Sequence, residues 1–126
     1  MVNAIKAAQQ AARKAIEATY FGTLMVTEMQ KVKDERSKLT KDEPVVVLEN
    51  QPCKLSFETL QTAVQSDSAA TITQVTKLFV SPDISIKPGS KITVSQDNVT
   101  TDYTCSGVPA VYPTHQEIML ELEDFA

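Results

Sequence analysis

The sequence predicts a mainly β protein: a small six-stranded antiparallel β-barrel or curled sheet with one N-terminal α-helix. Three observations support this fold class. Short runs alternate apolar and polar residues along the C-terminal two thirds, turn-forming dipeptides separate several of these runs, and the first twenty residues are rich in alanine. We expect a single domain overall, with the helix in residues 1–21 and the barrel in residues 22–126.

The helix is predicted to run from Asn3 to Tyr20, with Asn3 as its N-cap and Gly22 as its terminator. Alanine fills seven positions within it, so its helical propensity is high. A thin apolar stripe recurs at three- to four-residue spacing and consists of Ile5, Ala8, Ala12, Ile16 and Tyr20. Two interpretations stay open: a helix docked on its own barrel, or a helix that reaches a neighbouring subunit.

The strand pattern begins at Thr23 and continues to Lys33, apolar at first and polar later, as at the rim of a barrel. The next ten residues, 34–43, include seven charged ones without apolar spacing. We interpret them as a solvated loop or hairpin tip, which is favoured over a docking surface. The candidate docking residues in this loop are Asp34, Glu35, Arg36 and Lys38.

A half-buried strand is predicted to start at Pro52, since Cys53, Leu55 and Phe57 alternate with polar residues. The following segment, from Gln61 to Ala70, is small and polar and is predicted to be a flexible loop. It separates the strand that includes residues 53–59 from the strand over residues 71–80. Its candidate functional residues are Gln61, Val64, Gln65, Ser66, Asp67 and Ser68.

The last third of the chain is predicted to hold three strands and two tight turns. Pro88 and Gly89 suit the centre of a type II turn, and Asp97 with Asn98 suits a two-residue hairpin. In the last strand, alternation predicts that the aliphatic residues face inward and the carboxylates outward. The inward set is Ile118, Leu120 and Leu122.

The charge distribution is uneven. Residues 1–43 carry eight Lys or Arg and six Asp or Glu, whereas residues 44–126 carry four and ten, a net of −6. The predicted sheet therefore lacks the basic face of a nucleic-acid binder, and an acidic wall would repel DNA. The longest purely apolar run has four residues, and no apolar segment follows the N-terminus. We expect synthesis in the cytosol and no membrane association.

No catalytic or metal-binding set stands out. His115 is the single histidine, and the two cysteines, Cys53 and Cys105, are far apart in sequence, so small buried thiols are favoured over a metal set or a Cys–His pair. The carboxylate pairs Glu121 with Glu123 and Asp42 with Glu43 fit solvent-facing acids better than an active site. We expect no enzymatic activity, no cofactor and no metal.

Three segments resemble head-closure proteins of tailed bacteriophages, which are also called stopper or head–tail joining proteins. The opening strand resembles the first strand of that family's barrel, a second segment resembles its Pro-Gly turn, and a third resembles its C-terminal segment in prophages of low-GC Gram-positive bacteria. These segments are residues 52–56 (PCKLS), 86–92 (IKPGSKI) and 111–118 (VYPTHQEI). The resemblance extends best over residues 52–123.

The resemblance implies a structural subunit of a homo-oligomeric ring in the virion neck, of six or twelve copies, assembled in the host cytoplasm. Such a ring closes the DNA-filled head beneath the portal and adaptor proteins and offers a docking surface to the tail terminator or tail tube. Packaged DNA passes through it without sequence-specific binding. Family members close the channel with a loop between two strands, which matches the loop from Gln61 to Ala70. The N-terminal helix would contact the adaptor ring.

Two other interpretations stay open at this stage. The chain could be a small β-barrel binding module for a peptide, polysaccharide or protein, or a tail-completion component unrelated to head closure. A third, a hydrolase using Cys53 or Cys105 with His115, has the least support, because nothing in the sequence pairs the thiol with the imidazole.

Overall fold

The computed structural model describes residues 2–62 and 71–122, which form one helix and seven strands. Helix α1 spans Val2–Glu17. The strands are β1 (Gly22–Lys33), β2 (Thr40–Thr62), β3 (Thr71–Val80), β4 (Lys91–Gln96), β5 (Val99–Cys105), β6 (Ala110–Val111) and β7 (Gln116–Leu122). The predicted fold class, mainly β with one N-terminal helix, is confirmed. The two-residue strand β6 is an addition to the six predicted strands.

Six antiparallel strands close into a ring in the order β3-β2-β1-β4-β5-β7, and β7 pairs back onto β3. Closure is uneven, because β7 pairs five residues with β3 but only three with β5. The N-terminal end of β7 pairs with β6 instead. A closed ring removes the free sheet edges wherever the strands overlap.

The core fills the inside of this ring. Its buried apolar residues come from six strands and the β3–β4 connection, as period-two alternation dictates. They are Leu24, Val26, Cys53, Leu55, Leu78, Val80, Ile86, Ile92, Val94, Tyr103, Cys105, Ile118 and Leu120. None of the described helix residues belongs to this cluster, so the barrel is built from the strands and their connections.

Both predicted turns are present. Gly89 has φ of +86°, and the Ser90 N–H donates to the Lys87 carbonyl at 3.1 Å, as a type II turn requires. Asp97 and Asn98 have φ of +53° and +64°, and they join β4 to β5 as a type I′ hairpin. These turns set the registers in which Ile92 and Val94 face inward.

The predicted helix ends were wrong at both termini. The helix already includes Val2, so Asn3 lies inside it and is not the N-cap. It ends at Glu17, where the backbone N–H and the hydroxyl of Thr19 both donate to the Ile16 carbonyl, at 3.0 and 2.6 Å. Gly22 does not terminate the helix but opens β1, opposite Cys53.

The predicted boundaries of β2 were also wrong. Residues 40–43 were expected in a loop and Pro52 at a strand start, yet β2 continues through both Pro44 and Pro52. β1 is paired with this part of β2 on one side, so a proline can lie in the strand where its missing N–H faces the open side. Two register shifts and a left-handed Asn50, with φ of +53°, make β2 bulge.

Two residues predicted to face inward lie where the pairing with one neighbouring strand has stopped, since β1 pairs with β2 only as far as Cys53 and β3 pairs with β7 only as far as Leu120. Phe57 is 53% exposed and Leu122 is 70% exposed, although Leu55 and Leu120 on the same faces are buried. Alternation gives the face of a strand correctly here, whereas burial also needs a neighbouring strand of sufficient length.

Candidate interaction surfaces

A single arginine anchors the C-terminal half of helix α1 to the barrel. The Arg13 guanidinium donates to the Ser81 hydroxyl and to an Asp83 carboxylate oxygen, each at 2.7 Å. It also donates to Glu17 at 3.2 Å within the helix. Ser81 and Asp83 belong to the connection that follows β3, so this contact sets the direction of the helix relative to the ring.

The helix lies on the outside of the barrel with its alanines exposed, and most of its polar residues are exposed as well. Arg13, Ile16 and Glu17 are half-buried, while every alanine of the helix is exposed. Five exposed alanines recur at alternating four- and three-residue steps, the spacing of a helix–helix seam. We call this set the alanine face: Ala4, Ala8, Ala11, Ala15 and Ala18. Ala18 directly follows α1.

The structure divides the predicted apolar stripe between two environments. Ile16 and Tyr20 are half-buried beside the barrel, whereas Ile5 is 59% exposed and Ala8 and Ala12 are exposed. The first interpretation, a helix docked on its own barrel, therefore applies to part of the stripe, and contact with a neighbouring subunit stays a prediction. Its C-terminal end docks on its own barrel, and its N-terminal end is accessible to another molecule.

The hydroxyl of Tyr20 is buried and has no hydrogen-bond partner among the described residues. Burial raises the pKa of this phenol, and the nearby Glu17 carboxylate raises it further. A buried hydroxyl without a partner destabilises the folded state, because the bonds it makes to water when unfolded are lost.

We therefore expect Tyr20→Phe to raise the free energy of unfolding by about 1 kcal/mol. Urea denaturation followed by circular dichroism measures this change. Tyr112→Phe is the matched control, because its ring is 45% exposed, and it should leave stability unchanged. A loss of stability in Tyr20→Phe would mean that the hydroxyl has a partner that the described residues do not supply.

The loop predicted for docking is the tip of a hairpin between β1 and β2. The Asp34 N–H donates to the Leu39 carbonyl at 2.9 Å, and the Lys38 N–H donates to the Asp34 carbonyl at 2.7 Å. The Asp34 carboxylate accepts from the Arg36 N–H at 3.0 Å. Asp34, Glu35, Arg36 and Lys38 are all exposed, so their side chains are accessible to a partner.

The loop predicted to gate a channel falls largely outside the described residues. Val64, Gln65, Ser66, Asp67 and Ser68 lie outside them. Gln61 was predicted in the loop but belongs to β2, where its backbone pairs with Ile72 of β3. The strands on both sides of the predicted loop therefore form a hairpin that reaches past the β3–β7 pairing, which stops at Thr76 opposite Leu120.

His115 lies in a surface cluster of aromatic and charged side chains. Its Nε2 is 3.0 Å from the Glu117 carboxylate, which can only accept, so Nε2 is the donor of this bond, and Nδ1 is 2.9 Å from the Thr114 hydroxyl. Tyr112 stacks on the ring at 4.9 Å. The bond from His115 and the nearby Lys77 lower the pKa of Glu117.

The two cysteines do not share this site. Cys53 and Cys105 are free and buried in the core, whereas both nitrogens of His115 are engaged by Thr114 and Glu117. Burial raises the pKa of Cys53 to about 12 and also raises that of Cys105. At neutral pH both thiols are protonated, a state poorly suited to nucleophilic attack. Of the carboxylate pairs, Glu123 lies outside the described residues.

A shallow pocket of about 230 Å³ lies between the end of the helix and the barrel, lined by Ile16, Thr19, Tyr20, Lys54, Phe79 and His115. Within residues 2–62 and 71–122, no group of three or more His, Cys, Asp or Glu is placed to hold a metal ion. No helix in that part of the chain has the length and apolarity needed to cross a bilayer.

Comparison with known proteins gives one loose structural likeness. No protein-family model matches the chain, and no curated protein matches it. The solved structure of protein xkdH of the phage-like element PBSX from Bacillus subtilis aligns over 80% of this chain and 92% of its own length, at 11% identity. The TM-score of 0.49 marks a similarity too loose to bear on what this chain does.

Proposed function

We propose that the chain is a structural subunit of a bacteriophage neck ring, closing the DNA-filled head below the portal and adaptor and receiving the tail. The observation that carries the proposal is the order of the three sequence segments that resemble head-closure proteins. The fold implied by that resemblance, a small antiparallel barrel behind one helix, agrees with the closed six-strand ring. The subunit acts by assembly and carries out no reaction.

The surfaces available for assembly lie away from the core. The exposed N-terminal part of α1 and the hairpin tip around Asp34 project from the barrel and add nothing to its interior. In the proposed neck, the helix contacts the adaptor ring and the tip contacts a neighbouring component. The net charge of −6 over residues 44–126 suits a wall that DNA slides past, because like charges prevent it from sticking.

Deletion of the gene in the phage or prophage that encodes the chain tests this role. We expect heads that package DNA and then lose it, together with unattached tails, and rescue by the wild-type gene supplied in trans. Electron microscopy of the particles and a nuclease-protection assay of their DNA give the two readouts. Deletion particles that retain DNA and bear tails would rule the role out.

Substitutions on the helix sharpen the same experiment. Ala8→Glu and Ala11→Glu place charges on the exposed alanine face, so we expect folding to be unchanged but complementation to fail. Gln10→Glu is the matched control, because it adds the same charge on another side of the helix. Equal complementation by all three variants would remove the helix from the proposed interface while leaving the neck role intact.

A further inference from the structure

The hairpin of β1 and β2 extends beyond the closed ring as a two-stranded arm. We define the β-arm as residues 28–33 of β1 and 40–50 of β2. Pairing between β1 and β4 stops at Thr27, and pairing between β2 and β3 begins only at Cys53. Within the described part of the chain, each strand of the β-arm therefore has one neighbour and one open edge. Open edges are ready-made templates for pairing with another chain.

The β-arm also exposes large apolar side chains, which a solvated hairpin has no need of. Met29 is 66% exposed, and Val46 and Val47 are each more than 40% exposed. Val32 and Leu39 are exposed as well. Apolar side chains next to unpaired backbone indicate a surface that becomes covered when a partner strand adds to it.

The two open edges carry opposite charge. In β1, the β-arm holds Lys31 and Lys33, while Glu28 is largely covered and lies 3.9 Å from Lys87. In β2, residues 40–50 hold Lys41, Asp42, Glu43 and Glu49, a net charge of −2, and Glu49 is the charged residue of the stretch between the two prolines. Pairing two β1 edges or two β2 edges would bring like charges together, whereas pairing β1 with β2 of another molecule brings opposite charges together.

The prolines of β2 limit where such pairing can occur. Pro44 and Pro52 have no N–H to donate, so residues 45–51 are the longest stretch of this open edge without a proline. The open part of β1 has six residues, from Glu28 to Lys33, which matches this length. The prolines thus protect most of the edge from unspecific pairing and leave a segment that one short strand can fill.

We propose that a second copy of this chain supplies that strand: the open edge of β1 in one copy pairs antiparallel with the open edge of β2 in the next. The contact joins two different surfaces, so each copy keeps one edge for a further neighbour, and repetition forms a ring when the rotation between copies closes. This inference rests on the assembly of the proposed function, but not on its location in a neck. Charge complementarity between two edges of the same β-arm is what selects another copy over a different protein.

Cysteine cross-linking tests the pairing directly. One protein carries Val32→Cys in β1, and the other carries Val46→Cys or Val47→Cys in β2, because antiparallel pairing of residues 28–33 with residues 45–51 places position 32 opposite 46 or 47. The native cysteines are buried and do not compete. Under mild oxidation we expect disulfide-linked dimers only when a β1 variant and a β2 variant are mixed. Dimers formed by a single variant, or no dimers in any mixture, would overturn the proposal.

Charge reversal gives an independent test by sedimentation velocity at protein concentrations up to about 1 mM, where weak contacts are populated. Lys31→Glu with Lys33→Glu makes both edges acidic, and Glu49→Lys makes the stretch of β2 between the prolines basic, like the edge of β1. We expect each variant alone to associate at least about tenfold more weakly than the wild type. An equal mixture of the two should associate again, since each supplies the edge that the other lacks.

The mixture is decisive because a substitution that damages the β-arm within its own molecule would still damage it after mixing. Recovery of association in the mixture therefore reports pairing between molecules. Glu35→Lys with Arg36→Glu is the control, since it rearranges charge at the tip without touching either edge. Recovery in the mixture supports the proposal, and weak association in the mixture, or monomers throughout, overturns it.

If rings form in particles while no β1–β2 cross-link is found, the pairing is wrong and the neck role stands. If cross-links form but deletion leaves particles intact, the neck role is wrong and the pairing stands.

Discussion

Gln116→Ala should lower the free energy of unfolding by about 3 kcal/mol, the largest effect that we expect from a single polar substitution in this protein. Gln116 is 2% exposed at the start of β7. Its amide group donates to the carbonyls of Ser81 and Ile84, at 2.8 and 2.5 Å. Removing it takes the amide donor from the Ile84 carbonyl, leaves the Ser81 carbonyl with the 3.3 Å bond from the Ile84 N–H, and creates a cavity at the closure between β3 and β7.

The same substitution should loosen the helix, because Ser81 and Asp83 are the residues that hold Arg13. Urea denaturation gives the change in stability, and amide hydrogen exchange over residues 13–20 reports the docking of the helix. Gln116→Met keeps most of the volume without the donors, so it separates the hydrogen bonds from the packing. Gln30→Ala, at an exposed position of β1, is the control for loss of a glutamine and should change stability by less than about 0.5 kcal/mol. Wild-type stability in Gln116→Met would show that the amide bonds contribute little.

Local signals allowed the turns and the strand faces to be predicted. Asp97 with Asn98 and Pro88 with Gly89 specify backbone dihedral angles through their own chemistry, so neighbours along the chain were sufficient. The alternation of Ile118 and Leu120 likewise fixed which side of β7 faces the core. The extent of strand pairing was not predictable in this way, because Phe57 and Leu122 are exposed where pairing with a strand distant in sequence has stopped.

The direction of the helix was not predictable from its own pattern. Amphipathic helices usually place the apolar side on the protein, yet here the alanines are exposed and Arg13 is turned toward the barrel. The reason is non-local: Ser81 and Asp83 lie about seventy residues away, and the thin alanine side offers little area to bury. The sequence therefore predicted the helix and its candidate interface but not which side would be free.

Buried Gln116 and half-buried Gln96 were not predicted, although the sequence held a signal for both. Gln116 shares its face of the strand with Ile118 and Leu120, and Gln96 shares its face with Ile92 and Val94. A glutamine on the apolar face of an amphipathic strand should be read as a candidate internal hydrogen-bonding group. What the sequence could not supply was the partner in either case, because the carbonyls and N–H groups involved belong to distant segments.

Gln96 closes the gap that β1 leaves between its two neighbours. β1 begins at Gly22, which lies opposite Cys53 of β2. Leu55, two residues further along β2, therefore has no strand beside it on the β1 side. The Gln96 side chain takes the place of a strand: its Oε1 accepts from the Leu55 N–H at 2.9 Å, and its Nε2 donates to the Leu55 carbonyl at 3.4 Å. We expect Gln96→Ala to lower the free energy of unfolding by about 2 kcal/mol, because both backbone groups lose their partner. Gln51→Ala is the control, since its amide makes only a 3.5 Å contact with the Pro52 carbonyl, and it should have a small effect.

Gly22 and Gln96 should be energetically coupled, because a side chain at position 22 would press against the same glutamine. A Cβ there would lie 3.1 Å from Gln96 Oε1 and 3.2 and 3.3 Å from the backbone carbonyls of Ser95 and Cys53. Gly22→Ala should therefore cost about 1–2 kcal/mol in the wild type and less by about 0.5 kcal/mol in Gln96→Ala. A double-mutant cycle by urea denaturation measures the difference. Full additivity would mean that the carbonyls of Ser95 and Cys53 alone set the cost of Gly22→Ala, since both remain when the glutamine is removed. The Gln96 side chain would then move aside freely. Coupling of the expected sign would identify the Gln96 side chain as a fixed part of the ring closure.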